Sequence, residues 1–227
     1  MDFRRDRTGG KFPLREGENH MRILRGLALA LLVLSAPAPL LAGEAGDLVF
    51  AERGPWHLDA TPLVWALTQS GPTVEGFVPL GQGTLSLSQA VDPSDGKPVL
   101  ELAEKTARIS RKIGPFPVSG GDPVLTFFLE TTTRDMAALT GGSPFYIRNR
   151  LKDALFRGGE IRRDGDATVA VFAPFKGDKN SERMLGFDTL ELRFTLGDPK
   201  QPIRSLVAQT GPLSGGQAPY DSQMVLK

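Results

Sequence analysis

Histidine is the side chain whose charge changes nearest neutral pH, and this chain has two, His20 and His57. His57 lies in Gly54-Pro55-Trp56-His57-Leu58-Asp59, and His20 lies ahead of a long apolar segment. One histidine cannot build a His-based metal site. It could serve a Ser-His-Asp triad, but no Gly-x-Ser-x-Gly elbow is present. The plain reading of His57 is a surface or structural histidine beside Trp56. Cysteine is absent, which excludes disulfides, thiolate catalysis, Cys-ligated metals and a lipid-modified cysteine.

The carboxylates form no diagnostic constellation. Asp95 and Glu101 flank a turn-forming stretch. Glu130 and Asp135 fall on a helix, where Glu130 is spaced to make a weak surface pair with Arg134. Paired acids hydrolyse glycosides only at set separations in space, and here they read as ordinary surface acids. Asp92-Pro93-Ser94-Asp95-Gly96 and Asp178-Lys179-Asn180 do not match an EF-hand loop. The expectation is a non-enzyme with no metal and no cofactor.

The densest local charge is basic. Arg148, Arg150, Lys152 and Arg157, followed by Arg162 and Arg163, are opposed only by Asp153 and Glu160, and Phe145 and Tyr146 stand at the start of the run. Such a helix can meet anionic headgroups or an acidic partner. Tyr146, Arg148, Arg150, Lys152 and Arg157 are therefore the candidate interaction surface. The alternative is a solvated face with Phe145 in the core. No aromatic ladder suggests single-stranded nucleic acid.

The elements that must carry these residues are marked by repeated punctuation. Ser119-Gly120-Gly121-Asp122-Pro123 and Thr140-Gly141-Gly142-Ser143-Pro144 each precede an apolar run. Asp122 and Ser143 are good N-caps, and proline costs nothing at the first helical position. The spacing predicts a helix over 123–139 with an apolar stripe of Leu125, Phe128, Leu129, Met136 and Leu139, ended by Gly141. It predicts a second over 144–157 with Ile147, Leu151, Ala154 and Leu155, ended by Gly158. The short link between them implies a hairpin or sharp corner. An anion at these helix starts is possible chemistry, but both carry ordinary caps. Strands are expected at 63–70, 84–90, 99–113, 168–172, 190–196 and 220–226, from alternation and flanking turns. Strands, a central helix pair and more strands make an α+β fold: a curled, mainly antiparallel sheet, a half-barrel, covered by the helices.

Residues 21–42, MRILRGLALALLVLSAPAPLLA, have a short positive start, an apolar core at 27–34 and a small residue, Ala42, at a plausible cut. This is the pattern of a cleavable signal peptide, and the apolar run is short of the roughly 20 residues that span a membrane. Residues 1–20 are expected to be a non-native extension. Removing 42 residues with seven Lys/Arg and four Asp/Glu leaves 185, with 20 basic and 22 acidic, a net charge of −2. No global basic excess then points to nucleic acid. Residues 43–227 are expected to be one exported domain, periplasmic or secreted, with no transmembrane span. The sequence leaves the oligomeric state open.

Export, a meander of long strands and "GDPVLTFFLE" as a helix inserted before the later strands resemble the LolA/LolB-like half-barrel superfamily, along with uncharacterised periplasmic proteins of similar shape. The resemblance implies an apolar cavity between sheet and helices that takes acyl chains. Phe127, Phe128, Met136 and Ile147 are its candidate walls. The expected function is thus a periplasmic, non-enzymatic protein that binds or carries an apolar, lipid-like ligand. The alternative is a structural or protein-interaction module of the cell envelope, and the third reading is a hydrolase using His57.

Overall fold

Alternating apolar residues build two antiparallel meanders on either side of a helix pair. In the computed structural model, residues 43–58, 60–198 and 200–227 are described. The expected extension and signal peptide lie outside the described residues. The chain opens with the short helix α1, Glu44–Val49. Four strands follow: β1 (Leu63–Ser70), β2 (Gly81–Val91), β3 (Pro98–Thr106) and β4 (Ser110–Pro117). Helices α2 (Pro123–Thr140) and α3 (Pro144–Arg157) come next. The second meander is β5 (Glu160–Asp164), β6 (Ala167–Phe172), β7 (Glu191–Leu196), β8 (Ser205–Gln209) and β9 (Asp221–Leu226).

All nine strands join one antiparallel sheet in the order β4-β3-β2-β1-β9-β8-β7-β6-β5. The first and last strands pair, from Trp65 opposite Leu226 to Ser70 opposite Asp221, and this seam joins the meanders. The sheet is curled but does not close, since β4 and β5 are its edges. The helix pair therefore carries the chain from one edge to the other, across the apolar face it covers. This is the expected α+β architecture. No helix among the described residues is long and apolar enough to cross a membrane.

The covered face follows from strand alternation, in which every second side chain points to the same side. Trp65 and Leu67 on β1, Leu85 and Leu87 on β2, Leu100 and Leu102 on β3, and Leu192, Phe194 and Leu196 on β7 are all buried. Val124, Leu125, Phe128 and Met136 of α2, and Ile147, Leu151 and Leu155 of α3, are buried in the same core. Phe194 sits at its centre, meeting Phe128 and Phe172 edge-on, with ring centroids 5.8 Å apart in each pair. Burying each such side chain contributes about 1.5–3 kcal/mol.

The helix starts are as the punctuation predicts. Asp122 Oδ1 accepts from the N–H groups of Val124 and Leu125 at 2.9 and 3.0 Å, and Ser143 caps α3 through Tyr146 N–H. Gly141 ends α2 at φ 68°, a left-handed conformation that glycine adopts without strain. Asp122 also lies 3.8 Å from buried Arg53, whose guanidinium donates to the carbonyls of Leu48, Val49, Ala51 and Gln201. Burial pushes the Asp122 carboxyl up from its ordinary value, against its two N–H bonds and the Arg53 charge.

Three expectations need correction. The strand expected over 99–113 is two strands, β3 and β4. Thr106 Oγ1 accepts from the N–H groups of Arg108 and Ile109 at 3.1 and 2.9 Å, turning the chain without glycine or proline. Strand β5 and helix α1 were not foreseen, whereas the strand expected to close at Gln209 is β8. The expected Glu130–Arg134 pair is replaced by one between helices: Arg148 Nε and Nη2 donate to the two Glu130 carboxylate oxygens at 2.7 and 2.9 Å. The Arg148 hydrogen bond holds the Glu130 carboxyl below its ordinary range.

Candidate binding cleft

The inward apolar series is broken at Gln69 and Glu104 in the first meander, and at the small Ser222 on β9. On β1 the series Trp65, Leu67 continues to Gln69, and on β3 the series Leu100, Leu102 continues to Glu104. Both polar side chains are buried. Their partners explain how they are tolerated, since a buried polar group must be hydrogen-bonded. Gln69 Nε2 donates to Asp135 Oδ2 of α2 at 2.7 Å, and its Oε1 accepts from Leu80 N–H at 2.8 Å. Tyr220, fully buried just before β9, donates its hydroxyl to the same Asp135 oxygen at 2.7 Å. Glu104 accepts from Arg111 Nε, its cross-strand neighbour on β4, at 2.6 Å.

These groups border a cleft between α2 and the first meander. A cavity of about 410 Å³ is lined by Gln69, Phe77, Val78, Leu80, Glu104, Arg108, Ile109, Arg111, Thr131, Arg134 and Asp135. It shares Arg111, Thr131 and Arg134 with an adjoining, more apolar arm of about 220 Å³, walled by Ile113, Phe116 and Phe127. Arg108 donates to the carbonyls of Val78 and Pro79, pinning the segment before β2 to the β3–β4 turn. The site is thus a trough of mixed lining, with arginines and carboxylates around its larger compartment and an arm walled by Ile113, Phe116 and Phe127 that Glu130 borders.

Electrostatics single out Asp135. Burial raises its pKa from the usual 3.8 to about 6, against the hydrogen bonds from Tyr220 and Gln69 and the charge of Arg134. Burial also pushes the Tyr220 hydroxyl well above its ordinary value, and the Asp135 charge adds to this. An acid proton exchanging near pH 6 is therefore held within the fold.

Of the candidate wall residues, Phe127 lines the cleft, whereas Phe128, Met136 and Ile147 are buried in the core. The candidate surface residues are largely engaged. Tyr146 donates its hydroxyl to Asp178, and Arg150 Nε lies 2.7 Å from the same carboxylate. Burial pushes Asp178 up, but the Asn180 N–H, the Tyr146 hydroxyl and Arg150 together outweigh it and hold its pKa below the ordinary value. Arg148 is spent on Glu130, and Arg157 pairs with Asp153 at 3.2 Å. Lys152 is exposed. Phe145 is exposed rather than packed in the core.

His57 is exposed and has no carboxylate within 4.0 Å among the described residues. It borders a concavity of about 960 Å³ between the Arg53–Leu58 segment, the start of β1 and Lys227. That concavity is an open depression. Its buried cation, Arg53, is already spent on main-chain carbonyls and Asp122, and its other cations, Lys200 and Lys227, are exposed. Among the described residues, no three His, Asp or Glu side chains gather as metal donors.

No family model, no curated protein and no solved structure matches the chain.

Sequence reasoning missed Gln69, Glu104, Arg111 and Tyr220, and placed Asp135 only on a helix. A signal was present. Gln69 and Glu104 each occupy the apolar phase of their strand, and Asp135 lies seven positions after Phe128, on the stripe that faces the sheet.

Proposed function

We propose that this chain is an exported, non-enzymatic binding protein whose ligand carries an apolar chain, held in the cleft between α2 and β1–β4. The observation that carries the reading is the trough itself. Its compartments of about 410 and 220 Å³ share Arg111, Thr131 and Arg134 and are walled by Phe77, Leu80, Ile113, Phe116 and Phe127. Ligand sites are typically concave, mostly apolar and of about 300–1,000 Å³, with a few placed polar groups. The order of elements resembles that of the LolA/LolB-like half-barrels, a likeness of layout alone. Against a His57 hydrolase stands the exposed position of that side chain, with no carboxylate within 4.0 Å among the described residues. The test is calorimetric titration with decanol, a neutral single chain. A saturable site that disappears in Thr131→Trp, which fills the junction of the two compartments, supports the reading. No binding, or binding indifferent to that substitution, overturns it.

A second reading, an envelope protein-interaction module, is favoured by one observation. Phe156 of α3 is 60% exposed and stacks on Phe50 with centroids 4.7 Å apart, and Phe145 is 71% exposed on the same helix. Exposed aromatic clusters are enriched at interfaces. Loss of a cross-linked envelope partner in Phe156→Ser would favour it, and retention would remove it.

A further inference from the structure

The charges at the cleft mouth do not balance, and the imbalance specifies a ligand. Three guanidinium groups, Arg108, Arg111 and Arg134, line it alongside two carboxyls, Glu104 and Asp135. Arg111 and Glu104 neutralise one another at 2.6 Å. Arg108 is held by two main-chain carbonyls, which position a guanidinium without cancelling its charge. Arg134 has lost its natural helical partner, because Glu130 is occupied by both donors of Arg148. Among the described residues neither Arg108 nor Arg134 has a carboxylate within 4.0 Å. Asp135 faces Gln69 of β1, Tyr220 ahead of β9 and Arg134 on its own helix, and its buried oxygen already accepts two hydrogen bonds. It is poorly placed to compensate two further cations.

The mouth is thus cationic from two sides, α2 and the β3–β4 turn, and its apolar arm leads away along Ile113, Phe116 and Phe127. Guanidinium groups match carboxylate and phosphate oxygens in geometry and charge. We propose that the ligand is a single-chain amphiphile with one acidic head group, the head held by Arg134 and Arg108 and the chain lying in the arm. This inference rests on the binding-cleft reading above and adds the chemistry of the head.

The experiment compares decanoate with decanol on the full protein at pH 8 and low salt, with acetate as the chainless anion, and repeats the set in Arg134→Gln. Arg134 is exposed, so this variant is expected to fold, and Arg134→Lys is the conservative control. Decanoate should bind at least about tenfold more tightly than decanol, the scale of a hydrogen bond to a charged group. Arg134→Gln should weaken decanoate roughly three- to tenfold and decanol clearly less, with Arg134→Lys recovering part of the decanoate loss. Equal affinities for decanoate and decanol would overturn the head-group assignment while the apolar-chain reading stands. So would a variant that weakens both alike. Acetate binding as tightly as decanoate would mean that the arginines hold a free anion, and would overturn the amphiphile. Failure of both ten-carbon ligands would bring down this inference and the reading beneath it.

Discussion

The two halves of the sheet meet the same helix and solve opposite problems. Under β6–β9, inward positions are apolar apart from Ser222, and the rings of Phe128 and Phe172 meet Phe194 edge-on. Under β1–β4, the inward face carries Gln69, Glu104 and Arg111 beside its leucines, and α2 stands off enough to leave a trough. Burying a carboxyl such as Asp135 costs free energy that an apolar residue would not. The second half buries a carboxyl too, Asp178, but ties it to Tyr146, Asn180 and Arg150, whereas the first half leaves space beside Asp135; this separates a packed half from a half with a cleft.

Mutations that treat the halves alike should fail to give like results. The largest effect is expected for Phe194→Ala, about 3–5 kcal/mol lost in a urea midpoint experiment, because the packed rings cannot collapse into the hole. Phe127→Ala, on the cleft wall, should cost less, about 1–3 kcal/mol. Equal losses would erase the distinction. Next is Asp135→Asn. Because the native pKa of Asp135 is raised to about 6 from 3.8, the native state binds the proton more tightly than the unfolded chain. Its contribution to stability is fully present below about pH 4 and is lost as pH rises through about 6. A shift of roughly two units sets an upper limit of about 3 kcal/mol. The asparagine variant should therefore gain on the wild type as pH rises from 4 to 7. A difference that is flat with pH would show that Asp135 does not titrate in that range.

Smaller effects belong to the connections. Gly46 of α1 packs its bare Cα against the carbonyl of Leu155 in α3, leaving no room for a methyl group. Gly46→Ala should cost about 1–3 kcal/mol through overpacking, read as a lowered melting temperature. Smallest is Glu130→Gln, which removes a half-exposed ion pair with Arg148. It should change stability by less than about 1 kcal/mol, and less again in high salt.

The helices were legible because their signals are local. Asp122-Pro123 and Ser143-Pro144 start them, and Gly141 supplies the left-handed stop between them. Alternation likewise announced β7 and, less cleanly, β9. The break between β3 and β4 was hidden because Thr106 forms that turn with its side chain, within Ala107-Arg108-Ile109. Strand β5 was obscured because Arg162, Arg163 and Asp164 place polar residues in succession at a sheet edge, where alternation is not enforced. The cleft was harder still. Gln69 and Asp135 are 66 positions apart, and Tyr220 and Asp135 are 85 apart. Only the seam between β1 and β9 brings them together, and that long-range pairing leaves no local mark. What the sequence did carry was the anomaly of polar residues in apolar phase at 69, 104 and 135.

The division of labour between the halves can be read by nuclear magnetic resonance, following methyl signals as decanoate is added. Shifts confined to Leu80, Ile109, Ile113 and Thr131, with Leu192, Leu206 and Ala208 unmoved, are the expected result. Shifts centred on the second group, or none at all at saturating decanoate, would contradict a binding half set against a packed one.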